Sequence, residues 1–506
     1  MSGVDVSKEI DGPRRALITV SVMLASLMQS LDNTIANVAL PEIQGSLSAT
    51  QDQMAWVLTS YIIAAAIMTP MSGWLSEQVG RRKVLMASVV GFTLASMLCG
   101  LAQTLPQIVL ARLLQGLCGA ALIPMSQAVL LDITAPEHHG RAMAMWLMGV
   151  IMGPILGPAL GGWLTENYNW RWVFYINVPF GILAFVGILG SIPESTIRKS
   201  RFDFFGFTVL SLGIAALQLM VDRGQLKDWF GSTEICIEGA VAAASFYLFS
   251  VHMMTTTDPP FVSPALFRDR NFLTGNVFMF VVAGVLFATL ALLPPLLQDL
   301  LNYPVVTTGL VLAPRGFGTL IAMFIVGRII GKVDARVIIT FGFALTAASL
   351  WQMTGFDLQM DRATIVWSGL AQGLGTGFVF VPLTSAAFAT LNPGLRSEGT
   401  AIFSLTRNLG SSIGISVMET LLTRNTQTVH ATLGEHLSRY SLMQVVPPAA
   451  HGLAAMNAAI TQQASMVAYN DDFELMFMLC VALMPLILLL RRGKSRTAAP
   501  DPAPME

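Results

Sequence analysis

The chain has 506 residues, of which 54% are apolar and only 12% are charged, whereas soluble domains carry about 25% charged residues. This composition excludes a soluble enzyme, and the net charge of -1 provides no general basic field that would attract nucleic acid. Fourteen membrane helices of about 20 residues each would use most of the apolar residues. We therefore predict an all-α integral membrane protein with fourteen transmembrane helices.

Fourteen apolar runs follow one another along the chain, and each is long enough for a membrane helix. The first run is too long for the core of a signal peptide, so it is interpreted as an uncleaved first span. The runs lie at about 16–40, 54–75, 84–104, 107–131, 142–164, 172–192, 204–221, 235–253, 272–296, 305–327, 337–356, 363–390, 399–421 and 473–490.

The lysines and arginines are distributed unevenly between the two sides of these spans. If the N-terminus is inside, 20 of the 29 lie in inside segments, 6 lie outside and 3 lie within spans. Because positively charged loops stay in the cytoplasm, this bias predicts that both termini are cytoplasmic.

An internal repeat predicts the architecture. The segment Ile108–Leu117 recurs as Ile365–Leu374 at an offset of 257, and the loop Gly73–Lys83 matches Gly327–Val337 at an offset of 254. We therefore predict two six-helix bundles, related as parallel repeats, with an inserted two-helix hairpin. The predicted units are a cytoplasmic N-terminus 1–15, a first bundle 16–192, the hairpin 204–253, a second bundle 272–490 that includes an outside loop 422–470, and a cytoplasmic tail 491–506.

Two ionisable residues lie within apolar spans and are absent from the matching repeat. Arg112 maps to Gly369, and Asp32 maps to Leu286. An ionisable group near the middle of a span costs at least about 2.5–3.5 kcal/mol, so it usually faces a cavity or a partner. We predict that Asp32 carries the transported proton and that Arg112, which cannot lose its own proton, tunes it. A structural ion pair is the alternative.

Polar side chains near these two residues predict a substrate cavity. Gln29, Asn33 and Asn37 share one helix face because they are spaced by four, and Gln115 follows Arg112 on the fourth span. Arg407 lies in span 13 and could face the cavity or form an internal ion pair, as could Arg315 and Glu419. A polar stripe that only joins helices would also explain the amides.

Span 5 has glycine at every fourth position, interrupted by proline. Glycine on one face permits close helix approach, and proline removes backbone donors and bends a helix. We predict a hinge or seal between the two bundles, with ordinary close packing as the alternative. The residues are Gly149, Gly153, Pro154, Gly157, Pro158, Gly161 and Gly162.

No pattern in the sequence predicts a catalytic or metal site. The four cysteines lack metal-ligand spacing, and no nucleotide-binding loop occurs. The Gly410–Gly414 segment fits the GxSxG pattern of hydrolases but lies inside an apolar span without a preceding strand. We expect transport driven by a proton gradient, without a cofactor. The loop 422–470 predicts one or two short amphipathic helices, which could form a surface lid or contact a partner.

Five segments together resemble the fourteen-span drug:proton antiporter branch of the major facilitator superfamily, and its EmrB type most closely. The loop Gly73–Lys83 is similar to the cytoplasmic signature, Arg112–Gly119 to the arginine motif, and Gly153–Gly162 to the antiporter motif. The stretch Leu31–Pro41 is similar to the first-span motif of this branch, and Leu217–Phe230 resembles EmrB-type sequences in the inserted hairpin.

This resemblance implies a multi-pass protein of the bacterial inner membrane that exports hydrophobic, drug-like compounds in exchange for protons. It implies a cytoplasmic gate at Gly73, Glu77, Gly80, Arg81 and Arg82, with Glu77 in place of the usual aspartate. It also implies a periplasmic adaptor protein and an outer-membrane channel as partners. A proton-coupled symporter of a small metabolite and a transport-dead sensor are the alternative functions.

Overall fold

The computed structural model describes residues 12–135, 138–193, 201–256, 260–435 and 450–490. Within these ranges the chain is helical, with one isolated bridge between Ile330 and Val333 and no strand, so the all-α prediction is confirmed. Thirteen helical segments in the described residues are long and apolar enough to cross a membrane. The remaining predicted span, number 13, is also a helix, Arg396–Glu435, but is more polar than the others.

Eight helices form the first half of the chain. Predicted span 4 is divided into α4 and α5, and span 6 into α7 and α8. Gly80, at φ +97°, allows the sharp turn that separates α2 from α3. The helices are α1 Gly12–Leu47, α2 Gln51–Val79, α3 Arg81–Leu101, α4 Leu105–Gly119, α5 Leu122–Ile133, α6 His139–Asn167, α7 Trp172–Tyr175 and α8 Asn177–Ser191.

The hairpin and the second half follow. The side chains of Asp203 and Asp269 cap α9 and α12 by accepting the backbone N–H groups of Gly206 and Phe272. The hairpin helices are α9 Phe204–Arg223 and α10 Thr233–Thr255, followed by the short α11 Pro264–Arg268. The second half comprises α12 Arg270–Pro295, α13 Val305–Ile329, α14 Ala335–Met353, α15 Arg362–Phe388, α16 Arg396–Glu435 and α17 Ala450–Leu483. The predicted domain boundaries stay a prediction.

Helices α16 and α17 extend well beyond a membrane. At 40 and 34 residues they are about 60 and 51 Å long, against a hydrocarbon core of about 30 Å. The imidazole of His430 hydrogen-bonds Asn457 Oδ1 at 3.1 Å and joins the two extensions. The helices predicted for the loop 422–470 are therefore continuations of the last two spans, not separate short helices, and 436–449 lies outside the described residues.

Contacts inside the two halves repeat at the predicted offsets. Gly116 packs directly on the backbone oxygen of Tyr61, and Gly373 packs in the same way on that of Arg315. Arg82 donates a hydrogen bond to the Leu189 carbonyl at the end of α8, and Arg336 donates to the Leu490 carbonyl after α17. These paired contacts agree with the parallel repeat.

The two halves also meet through a repeated pair of contacts. Helix α2 packs against α16, and α13 packs against α6. A Cβ atom added at Gly73 would lie 3.0 Å from the Glu398 Cα, and one at Gly327 would lie 3.3 Å from the Ala144 Cβ. Both glycines lie at the end that the charge distribution predicts to be cytoplasmic. The hairpin packs through α9 against α2 and α16.

Candidate proton-coupling site and gate

Asp32 lies at the centre of a buried polar cluster in the first half. Its side chain is 0% exposed and that of Arg112 is 1% exposed. Arg112 Nη1 donates to Asp32 Oδ2 at 2.5 Å, and Oδ1 accepts from Gln115 Nε2 at 2.8 Å and from Asn177 Nδ2 at 2.9 Å. Three side-chain donors therefore converge on one buried carboxylate.

Arg112 is held on its other side by α2. Its Nε donates to the Val57 carbonyl at 3.2 Å, and its guanidinium carbon lies 4.3 Å from the centre of the Tyr61 ring. Because the guanidinium stays charged, its burial depends on the negative charge of Asp32. The structure thus brings together the two residues predicted to couple protons, although their role in transport stays a prediction.

Sequence reasoning missed Asn177 in this cluster. It is the first residue of α8, and its Nδ2 also donates to Ser96 Oγ at 2.9 Å, which joins α8 to α3. The available signal was one amide inside the apolar run 172–192. That signal is weak because a buried amide can serve packing alone.

The residues predicted to line the substrate cavity separate into two groups. Gln115 belongs to the cluster around Asp32, and Gln29 is buried with its Oε1 accepting the Ile123 N–H at 3.2 Å. Asn33 and Asn37 are exposed on the adjoining face of α1, and Arg407 is half-buried on α16. Of these five predicted residues, only Asn33, Asn37 and Arg407 have side chains that a ligand could reach in this state. Their role in substrate binding stays a prediction.

A repeat of the Gln115 contact identifies the position in the second half that corresponds to Asp32. Gln372 Nε2 donates to Thr289 Oγ1 at 3.2 Å, and both residues follow Gln115 and Asp32 by the offset of 257. By this contact Thr289, not the predicted Leu286, is the counterpart of Asp32. The acid is still an addition to the shared scaffold, as predicted.

The glycine stripe of α6 makes the close approach that its spacing predicts, but its partner is α1. A Cβ at Gly157 would lie 2.9 Å from the Thr34 Cβ, and one at Gly153 would lie 2.7 Å from the Leu31 nitrogen. Gly149 and Gly161 face α1 in the same way, whereas nothing lies within 4 Å of a Cβ at Gly162. The prediction that the stripe itself seals the two bundles is therefore wrong.

A different face of α6 makes the contact between halves. Ala144 and Ile155 pack against Gly327 and Gly316 of α13. Pro154 and Pro158 lie inside α6, which stays one helix through both positions. Helix α6 thus lies between α1 and α13, and its role as a hinge stays a prediction.

The predicted gate residues lie where α2 and α3 meet the second half. Arg81 Nε donates to Ser397 Oγ at 2.8 Å, and its guanidinium also pairs with Asp132 at the end of α5. Glu77 lies within electrostatic range of Arg81 and Glu398. Arg82 instead bonds to Leu189 of α8 at 2.6 Å, within the first half. Of the gate residues, Gly73 and Arg81 make direct contact across the halves.

The sequence did not identify two residues that contact the gate, Asp132 and Arg396. Asp132 also pairs with Arg396 of α16, with 3.4 Å between Arg396 Nη1 and Asp132 Oδ1. Asp132 therefore bridges a first-half arginine and a second-half arginine. Because the two arginines are far apart in sequence, only the folded chain reveals the bridge. These contacts close this end of the molecule.

The other charges predicted to face the cavity or an ion pair form no ion pair among the described residues. Arg315 is 5% exposed, and its Nη2 donates to the Leu286 carbonyl at 3.1 Å. Glu419 is exposed on α16. The described residues also contain no group of three potential metal ligands.

The family model of the Major Facilitator Superfamily matches residues 22–415. The chain belongs to this superfamily. It is 35% identical over 437 residues to the multidrug export protein EmrB of Escherichia coli strain K12, covering 86% of this chain and 85% of that one. It is 35% identical over 494 residues to the fatty acid resistance protein FarB of Neisseria gonorrhoeae, covering 95% and 97%.

Solved structures of the superfamily share the fold. The human organic anion transporter MFSD10 superposes with a TM-score of 0.61 at 14% identity, over 92% of this chain and 99% of that one. The proton:xylose symporter XylE superposes with a TM-score of 0.60 at 13% identity, over 94% and 97%. The chain is thus a multi-pass membrane protein of a transporter superfamily.

Proposed function

We propose that this protein exports hydrophobic, chemically varied compounds across the bacterial inner membrane in exchange for protons. The names of its relatives, a multidrug export protein and a fatty acid resistance protein, support export of apolar compounds. Proton coupling rests on one observation, which is the buried Asp32–Arg112 pair. A buried charge pair inside apolar helices is costly, and a carboxylate is the member of this pair that can accept a proton.

The cluster geometry supports a mechanism of alternating access. A proton that binds Asp32 removes the charge that balances Arg112 and replaces an acceptor site with a donor. The three donors on Asp32 come from α4 and α8, so protonation weakens the contacts that hold α1 to these helices. Loss of the proton restores them. Each protonation state then favours a different packing of the first half.

The contacts that close one end of the molecule support an outward-facing state. Under the predicted orientation the Gly73–Glu398 and Arg81–Ser397 contacts lie on the cytoplasmic side. A substrate bound between the halves would then leave toward the outside, past the exposed Asn33 and Asn37. Opening the cytoplasmic end requires these contacts to separate.

Purified protein in liposomes tests the proposed function. With a pH gradient imposed, an acidic interior should drive uptake of a lipophilic fluorescent dye and release protons in exchange. A symporter would move dye and protons in the same direction. A transport-dead sensor would bind the dye without either flux, and that result would overturn the proposal.

We also propose that the protein is the inner-membrane part of a tripartite pump. The extensions of α16 and α17 beyond the membrane support a contact with a periplasmic adaptor protein, which in turn would engage an outer-membrane channel. Replacing residues 424–463 with a short polar linker should abolish co-purification with the adaptor while dye transport in liposomes continues. Co-purification that survives this replacement would exclude the extensions as the contact.

A further inference from the structure

The inserted hairpin is bound to α16 by a regular row of polar contacts. Ser412, Ser416 and Thr420 are spaced by four, so they share one helix face. Gln218 Nε2 donates to Ser412 Oγ at 2.6 Å, Ser416 Oγ donates to the Val221 carbonyl at 2.8 Å, and Trp229 Nε1 donates to Thr420 Oγ1 at 3.0 Å. Ser412 is the serine of the GxSxG segment, so its position is explained by docking of the hairpin.

Asp222 lies at the centre of this row and also reaches α2. Its Oδ1 accepts from Gln218 Nε2 at 2.8 Å and from Ser412 Oγ at 3.3 Å. On its other side it faces Thr59 of α2, and the guanidinium carbon of the next residue, Arg223, lies 5.4 Å from the centre of the Trp56 ring of the same helix. This part of the hairpin therefore hydrogen-bonds to a second-half helix through Asp222 and packs against a first-half helix through Arg223.

The contact at Asp222 lies at a second level along the same two helices that form the gate. Thr59 is 14 residues before Gly73 on α2, and Ser412 is 14 residues after Glu398 on α16. Since the helices run in opposite directions, both separations amount to about 21 Å toward the opposite side of the membrane. The gate and Asp222 therefore join α2 to α16 at two separate depths.

The same stretch of α2 supports the proton site. Val57 and Tyr61 contact Arg112 from one side of α2, and Thr59, between them, faces Asp222 from the other. A movement of Arg112 after protonation of Asp32 would displace this stretch of α2. That displacement would reach the hairpin directly through Thr59.

We propose that the inserted hairpin is a clasp between the halves, closed by Asp222, and that it couples the Asp32–Arg112 pair to the opening of the gate. This inference rests on the proposed proton exchange. The ionised carboxylate accepts hydrogen bonds from Gln218 and Ser412, and so holds α16 to α9, which packs against α2. A neutral carboxyl group at this position accepts fewer and weaker hydrogen bonds, so the clasp loosens and the halves separate more easily at this level.

The other charged groups near Asp222 either pair with residues other than Asp222 or lie at the edge of the contact between the hairpin and α16. Arg223 pairs with Glu234 of α10, and Lys227 Nζ lies 3.5 Å from Glu234. Glu238 lies on α10 near Arg223 and Glu234, and Glu419 of α16 faces Asp222. In the described residues no cation pairs with Asp222, so its charge is balanced by hydrogen bonds alone.

Asp222→Asn mimics the neutral clasp, and Asp228→Asn is its matched control. Asp228 is exposed in the turn of the same hairpin, at φ 58°, a conformation that asparagine tolerates. In liposomes at pH 7.5, Asp222→Asn should lower the maximal rate of dye–proton exchange by about tenfold and leave the KM for dye within about twofold. The difference in maximal exchange rate between Asp222→Asn and wild type should become smaller as the external pH falls. Asp228→Asn should match wild type.

Hydrogen–deuterium exchange on the same purified proteins tests the clasp without transport. Asp222→Asn should increase amide exchange in α9 and around Ser412, and Asp228→Asn should not. Should Asp222→Asn fail to fold, Ser412→Ala replaces it. Equal exchange in both variants and wild type overturns the clasp, as does a transport defect that is constant at every pH. Absence of dye-driven proton flux in wild type would overturn the proposed function instead, and the amide exchange would still decide the clasp.

Discussion

Arg112 depends on one carboxylate for the balance of its buried charge. We expect Arg112→Ala to destabilise the protein by about 3–5 kcal/mol, because Asp32 would remain buried without its ionic partner. Arg112→Lys should reduce stability less than Arg112→Ala does. It should still impair exchange, because the lysine ammonium lacks the planar, forked donor geometry of the guanidinium. Thermal unfolding in detergent, together with dye transport, measures both effects.

A double variant serves as the control for this prediction. Asp32→Asn combined with Arg112→Ala removes both charges, so it should be more stable than Arg112→Ala alone. If the double variant is less stable than both single variants, the two charges do not form the energetic pair described above.

The sequence predicts which residues form this centre better than it predicts their contacts. Asp32 and Arg112 can be recognised because each is an ionisable side chain within an apolar run and is absent from its repeat. Their contact depends on how α1 is positioned against α4, a tertiary property. Asn177 could not be singled out, because nothing in its own run reveals that a carboxylate from α1 lies beside it.

At the scale of elements, the stripe of α6 offers an internally controlled test. We expect Gly157→Ala to cost about 1–3 kcal/mol, because the added methyl group would overlap Thr34 of α1. Gly162→Ala, on the same helix, meets nothing within 4 Å and should be neutral or stabilising by up to about 1 kcal/mol. Unfolding titrations in mixed detergent compare the two. Equal free energies of unfolding for the two variants would show that α1 shifts to accommodate the added methyl group at Gly157 without loss of stability.

The stripe also shows what a periodic pattern can and cannot predict. Glycine at every fourth position predicts a face without side chains, and that face makes the expected close approach. The pattern carries no information about which helix fills it. Helix α1 does so within the first half, and the contact with the second half is made by the larger Ala144 and Ile155.

At the scale of the whole molecule, transport requires the two halves to separate at the closed end. Cysteines introduced at Ala144 and Gly327 would have Cβ atoms 3.3 Å apart, close to the spacing of a disulfide. In a background where Cys99, Cys118, Cys236 and Cys480 are replaced, oxidation should stop exchange and reduction should restore it. Dye transport by the fully cross-linked protein would show that this end does not need to open.

Composition and loop charges predict the overall architecture because apolar runs and positive loops are properties of the chain itself. The sequence predicts helices in 422–470 but not that they continue the last two spans, since a helical pattern does not show where one helix joins the next. The bridge from Arg81 through Asp132 to Arg396 joins three distant segments and appears only once both halves are folded.

The central claim is that Asp32 exchanges the proton that substrate binding displaces. The most direct measurement is proton release on addition of dye to purified protein in weakly buffered detergent, for wild type and Asp32→Asn. Glu42→Gln, an exposed change from acid to amide on the same helix, is the control. Wild type and Glu42→Gln should release protons, and Asp32→Asn should bind dye without releasing any. Equal proton release by Asp32→Asn would contradict the claim.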